Sequence, residues 1–372
     1  MSRLPDAGRV LLGPGPSLVS PRVMRALASP TLGHLDPAMT ALLDDIRARL
    51  DRLFQAAEGS FAFAVSGTGT AGMETAVANL IGAGSRVLVV VTGYFGERLA
   101  VMCERYGAEV TRLEVEWGRA CDPGDLARAL RATPADLVAI VHAETSTGVL
   151  NPVERLAPIA RDHGALVLVD AVTSFGGHRL DVADWGIDVC YSCSQKCLGA
   201  PSGLAPVVFG PRALARLVPS RSFYFDLKLL RDYWLRRVYH HTMSSALVSA
   251  LAEALAAFEE EGLEARWARH RRSHRALVEG LSRMGLSLLP PEDERLWTVN
   301  AVCVPPGVDE GAVRGYLLNE LGIEIGAGLG PLAGKIWRIG LMGAGSSPQL
   351  ALMLLGALEQ ALTEQGRHHV HV

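Results

Sequence analysis

Between about residues 60 and 210, short apolar runs alternate with helical stretches, and this rhythm confines the chain to a sheet covered by helices. FAFAV (61–65), RVLVVV (86–91), AEVTRLEV (108–115), DLVAIVHA (136–143), ALVLVD (165–170), IDVCYSCS (187–194) and APVVFG (205–210) read as strands. Helical stretches such as AGMETAVANLI (71–81), residues 97–106 and LAPIARDHG (156–164) fall between them. ALVLVD is apolar without alternation until its last residue, which is how a strand buried on both faces of a parallel sheet reads. The expectation is an α/β fold, with a mostly parallel central sheet carrying helices on both faces.

After Ser244 the pattern changes. A long Ala- and Leu-rich helix (246–262) leads into a second through residue 285. LWTVNAVCVP (296–305), a helix near 310–321, GIEIGAG (322–328), WRIGLM (337–342) and a last helix around 348–364 suggest a smaller C-terminal α+β domain. With 372 residues there is room for both. The expected division is an N-terminal strap over 1–20, extended rather than an element, a large domain over 21–250 and a small one over 251–372.

Several function classes recede on composition. A net charge of −3 does not suit an electrostatic nucleic-acid binder. The densest basic run, Arg266 to Arg275, follows the acidic Glu259 to Glu261 and reads as the solvated face of a helix. No apolar run reaches the roughly 18 residues a membrane span needs, and the N-terminus lacks a cationic start and apolar core, so a cytoplasmic protein is expected. Cys190, Cys193 and Cys197 crowd together, but their CxxC has no second ligand pair at matching spacing, so no metal is expected. The terminal HHVHV (368–372) reads as a frayed end.

Ligands of open α/β sheets sit outside the carboxyl ends of the strands. Four strand ends here carry chemical groups: Thr68, Gly69 and Thr70; Thr145 to Gly148; Asp170; and Lys196 beyond Tyr191. Gly67, Gly69 and Gly72 fit GxGxxG, yet a dinucleotide site wants an acidic residue at the end of the second strand, where Val91-Thr92-Gly93 stands. A hydroxyl-bearing turn opening a helix suits a lone phosphate, which is the favoured reading over a dinucleotide or a plain turn. Asp170 ends an apolar strand, where a carboxylate needs a cationic neighbour such as a pyridinium nitrogen, or else a turn to cap. A lysine lodged among apolar neighbours has a depressed pKa and becomes a nucleophile for imine formation. Lys196 is 26 residues from Asp170, one strand–helix–strand excursion, so both can flank one ring.

These residues resemble the class V aminotransferases of fold type I, nearest to the alanine–glyoxylate and serine–pyruvate (serine–glyoxylate) kind. The motifs run in order: GPGP (13–16), SGTGT (66–70), GYFGER (93–98), HAETSTGV (142–149), DAVTSFGG (170–177), SCSQKCLGAPSG (192–203), SFYFDL (222–227), YHHT (239–242) and RIGLMG (338–343). The resemblance implies a pyridoxal 5'-phosphate enzyme with Lys196 as the Schiff-base lysine and Asp170 as partner of the pyridine nitrogen. It implies that Val172 packs on one ring face and that Thr68, Gly69, Thr70 and Gln195 hold the phosphate. Thr145 would lie near the phenolic oxygen, and Arg338 would clamp the substrate carboxylate. Tyr239 and Thr242 would reach the neighbouring subunit's phosphate, which implies a homodimer with shared active sites. Two positions depart from the family's habit: Phe95 stands where a Trp often stacks, and Thr70 where close relatives often carry His.

The implied reaction moves an amino group from a small amino acid, alanine or serine, to glyoxylate or pyruvate. A ureidoglycine donor and a fold-related lyase are the alternatives, with a nicotinamide oxidoreductase or a non-catalytic binding protein further off. A cysteine desulfurase would need a reactive cysteine in GIEIGAGLGPLAGK (322–335), which has none, and Cys303 reads as a buried small hydrophobe. Residues near Gly15, His34, Tyr224 and Tyr239 are expected around the donor pocket.

Overall fold

The computed structural model describes residues 8–366. The first seven residues of the strap and the HHVHV terminus lie outside the described residues. A seven-stranded sheet forms the centre, in the order 61–66, 204–209, 189–191, 166–170, 137–141, 86–91 and 109–114. All neighbours pair parallel except Leu204–Phe209, which runs antiparallel to both of its neighbours. The four strands Phe61–Ser66, Leu137–Val141, Leu166–Asp170 and Leu204–Phe209 are buried almost throughout because helices cover both faces. Leu168, fully enclosed, illustrates what this is worth: its replacement by Ala costs about 2–5 kcal/mol at such a site.

Two helices set the site's geometry. Gly69–Leu80 starts where the strand Phe61–Ser66 ends and packs on the strands Val189–Tyr191 and Leu204–Phe209. Tyr94–Arg105 lies close on Arg86–Val91, and a Cβ on Gly96 would come 2.9 Å from Val90 O. Only a residue without a side chain allows that approach.

A second apolar core is built from Leu277, Leu281, Trp337, Ile339, Leu354 and Leu358, among others. Its antiparallel sheet joins Val299–Cys303, Ile336–Gly340 and Gly326–Ala327. The N-terminal segment belongs to this core, against the expectation of a mere strap. Val10–Leu11 pairs in parallel with Ile323–Glu324, and Leu12 is completely buried. An extended apolar VLL finds an open strand edge there, which local sequence does not reveal.

Three further expectations need correction. IDVCYSCS is a strand only over Val189–Tyr191: Ser192 N and Ser194 N still donate to Pro206 O and Leu204 O, but the parallel ladder to Leu166–Asp170 ends at Tyr191 and a turn begins at Ser194. The basic run is not simply a solvated face: Arg266, His270 and His274, one turn apart on Leu263–Arg283, are buried, while Arg271, Arg272 and Arg275 are exposed. Cys303 is half-buried rather than buried. Among the described residues no group of three or more His, Cys, Asp or Glu side chains is placed to hold a metal ion. No described helix is long and apolar enough to cross a membrane.

Candidate active site

Strand ends converge on one cavity of about 290 Å³ at the carboxyl edge of the sheet. Thr68, Gly69 and Thr70, Thr145, Asp170 and Val172, and Gln195 and Lys196 all line it, as does Phe95 from the helix after Arg86–Val91. Asp170 closes its strand with a carboxylate that is 3% exposed. Oδ1 accepts from Val172 N and Oδ2 from the Tyr191 hydroxyl, each at 2.8 Å. Burial pushes this carboxyl up to about 6, against the pull of those two hydrogen bonds. Burial also pulls the Lys196 amine below its ordinary value.

Lys196 sits in a tight turn, Gly199 N donating to Lys196 O at 3.0 Å, and its side chain reaches across to the N-terminal segment. The amine donates to Pro14 O, Ser17 Oγ donates to Lys196 O at 2.7 Å, and Ser17 N donates to Gln195 O at 2.8 Å. Gly15 closes this contact at φ +114°, a region that side chains resist. The stretch GPGP is therefore a wall of the cavity.

Glu144 governs the opposite side. Completely buried, it accepts from Ser146 N at 3.0 Å, Ser146 Oγ at 2.6 Å, and Phe95 N and Gly96 N at 3.2 Å. It thus caps the N-terminus of Tyr94–Arg105 with an anion, where the helix dipole favours one, and fixes the start of the turn that presents Phe95. Thr145 Oγ1 shares a 2.6 Å hydrogen bond with Thr173 Oγ1.

Three expected residues lie outside the cavity wall. Arg338 is buried, donating from Nε to Ala327 O at 2.6 Å and from Nη1 to Thr145 O at 3.3 Å. Burial pulls its guanidinium down to about 10, while Glu144 acts the other way. Tyr239 and Thr242 are away from the cavity within one chain, joined to each other by a 3.3 Å contact, with Tyr239 58% exposed. Of the residues expected around the donor pocket, Gly15 lines the cavity, and His34 and Tyr224 do not. Sequence reasoning missed Tyr191, Glu144, Arg98, Met73 and Ser202. The last three line the cavity. Arg98 lies within GYFGER one turn from Phe95, so helical spacing was the available signal there, and Glu144 and Ser202 lie within HAETSTGV and SCSQKCLGAPSG.

A half-buried amine and a buried carboxylate sharing a cavity with a phosphate-type turn suit a flat, anionic aldehyde cofactor. The residues fit pyridoxal phosphate on their own evidence. Gln195 Oε1 is enclosed with no hydrogen-bond partner among the described residues, and Gly69 keeps the turn open, since a Cβ there would come 2.8 Å from Val172 Cγ2. This is the site of a pyridoxal-phosphate-dependent transaminase.

The chain belongs to the class V aminotransferase family, whose model matches residues 17–335. It is 39% identical to an (S)-ureidoglycine–glyoxylate transaminase of Bacillus subtilis, over 95% of this chain and 90% of that protein. It is 38% identical to an alanine–glyoxylate aminotransferase of Drosophila melanogaster, over 95% and 92%. A solved alanine–glyoxylate aminotransferase from Nostoc sp. superposes with a TM-score of 0.95 at 45% identity, covering 97% of each chain. The fold class, the cofactor and the reaction type expected from the motifs hold.

Proposed function

We propose that this transaminase moves the amino group of a small amino acid, alanine or serine, to glyoxylate or pyruvate. The half-buried Lys196 and the buried Asp170, facing one cavity, are the observation that carries the reading. Lys196 would hold the cofactor through its amine, and Thr68, Gly69, Thr70 and Gln195 would hold its phosphate. When bound, the cofactor supplies an electron sink for the bond breaking at the substrate α-carbon.

The protein's own groups set charge and geometry. Asp170, backed by Tyr191 and Val172 N, would keep a ring nitrogen protonated when ionised. Burial disfavours the charged form of the Lys196 amine, so as a free amine it would accept the substrate α-proton and return it elsewhere. Arg338 meets the substrate carboxylate with the donors its two carbonyl contacts leave free, and a planar fork suits that job. Phe95 and Val172, both in the wall, would pack on the ring.

The small amino donor is supported by the alanine–glyoxylate relatives, and a ureidoglycine donor by the Bacillus relative. A donor panel with glyoxylate and pyruvate as acceptors separates them. Replacing Lys196 by Ala removes both the imine absorbance and the transfer rate; survival of both sinks the assignment.

A homodimer with shared sites is part of the same proposal. Phe223 (72% exposed), Tyr224, Val238 and Tyr239 expose large apolar surface close to Thr242, which supports burial against a second copy. Sedimentation gives the mass. Mixed dimers of K196A and Y239F regain one working site if Tyr239 serves its neighbour.

A further inference from the structure

The charges around the cavity do not balance without Arg98. Among the described residues, three charged ones line it: Asp170, Lys196 and Arg98. On the reading above, Lys196 gives up its charge when it binds an aldehyde, and Asp170 is matched by a ring nitrogen. A phosphate near two negative charges would then face one fixed cation in the wall, Arg98.

Its surroundings leave that charge free. Arg98 makes no ion pair among the described residues. Its guanidinium lies over the rings of Phe95, 4.9 Å from the centroid, and Tyr94, 5.3 Å. The two aromatic faces hold the planar group without neutralising it. Nη1 then donates to Thr70 Oγ1 at 3.3 Å. Accepting that bond leaves the Thr70 hydroxyl proton pointing elsewhere, free to be given to an anion at the turn. Arg98 thus stands one hydrogen bond behind the phosphate turn, on the helix whose start Glu144 fixes.

We propose that Arg98 is the cationic counterpart of the cofactor phosphate, acting through its charge and through the Thr70 hydroxyl it orients. The proposal rests on the transaminase reading and deepens it by naming what supplies positive charge to the phosphate from within the same chain. Charge, unlike stacking, distinguishes a phosphorylated ligand from its dephosphorylated form.

The test uses the reconstituted enzyme and its apo form. Affinities for pyridoxal phosphate and for pyridoxal are measured by absorbance titration in the wild type, R98M and R98K. Inorganic phosphate is titrated as a competitor of pyridoxal phosphate rebinding. Loss of one charge-assisted contact predicts that R98M weakens pyridoxal phosphate binding about tenfold or more. Pyridoxal binding should stay within about twofold of wild type, inorganic phosphate should compete less well, and R98K should recover most of the loss. Equal losses for both ligands would mean that Arg98 only props Phe95, and unchanged binding of both would mean that it does nothing; either result overturns the proposal. Failure of the wild-type apoenzyme to take up either aldehyde overturns the transaminase reading instead.

Discussion

Asp170 and Tyr191 face each other in register on adjacent parallel strands, and the Tyr191 hydroxyl donates to Asp170 Oδ2 at 2.8 Å. Side chains at matched positions of parallel strands fall on the same face, so the pairing follows from the ladder itself. Burial pushes the Tyr191 phenol well above its ordinary value, which keeps it a donor at any working pH. The bond favours the charged form of Asp170 where burial disfavours it.

Tyr191→Phe should therefore raise the Asp170 pKa further above about 6. A hydrogen bond to a charged group contributes about 1.5–3 kcal/mol, so the acid limb of kcat/KM should move up by about one pH unit or more. At high pH, where Asp170 is ionised in both proteins, the rates should approach each other. A pH profile that drops uniformly, with no displacement of its acid limb, would assign Tyr191 to packing alone.

The strands and the chemistry-bearing residues were legible in the chain, because both depend on local pattern. RVLVVV occupies the strand Arg86–Val91 as read, Asp170 ends its strand, and Lys196 stands in the turn beyond Val189–Tyr191. What supports them was not legible. Tyr191 meets Asp170 across 21 positions, Glu144 meets Phe95 across 49, and Pro14 meets Lys196 across 182. Such contacts depend on sheet register and on where the N-terminal segment docks, and period-two alternation is silent on which strands become neighbours. The buried side of Leu263–Arg283 was misread for a related reason. Arg and His count as polar in any pattern, yet Arg266 is buried with Nη1 on Glu261 and Nη2 on Cys197 O.

Four enclosed histidines make the fold sensitive to mild acid. Burial pulls His142 and His270 to about 3, His274 to about 4 and His178 well below its usual value. Each binds a proton more readily when unfolded, near 6.5, than when folded. Their stabilising effect is thus complete above pH 6.5 and declines as pH falls below it. Asp170, raised to about 6, runs the other way, so a difference between two proteins is the clean measurement. His142 packs edge-on to Trp185 at 5.5 Å and its Nδ1 has no partner among the described residues, which suits replacement by Phe. At pH 5.5, His142→Phe should recover about 1.4 kcal/mol relative to its effect at pH 7.5, the free energy of protonating one histidine in the unfolded chain alone. Denaturant melts at the two pH values read this directly, and a pH-independent difference would contradict it.

The approach of the N-terminal segment to Lys196 gives the sharpest test of how the amine is held. A Cβ at Gly15 would come 2.6 Å from Lys196 Cδ and 2.7 Å from Cε and Nζ. The obstacle is the flexible end of a side chain, so Gly15→Ala should fold and the lysine should give way. Its φ of +114° adds backbone strain of about 1–3 kcal/mol. Gly84→Ala isolates that second effect, because Gly84 has φ +76° and nothing within 4 Å of the new Cβ. Both variants should lose stability, but only Gly15→Ala should displace the amine. A misplacement of about 1 Å can cost ~100-fold in rate, so kcat should fall at least about tenfold in Gly15→Ala and stay near wild type in Gly84→Ala. Equal activity in the two would show that the amine tolerates being moved, and that the contact with the N-terminal segment does not set its position.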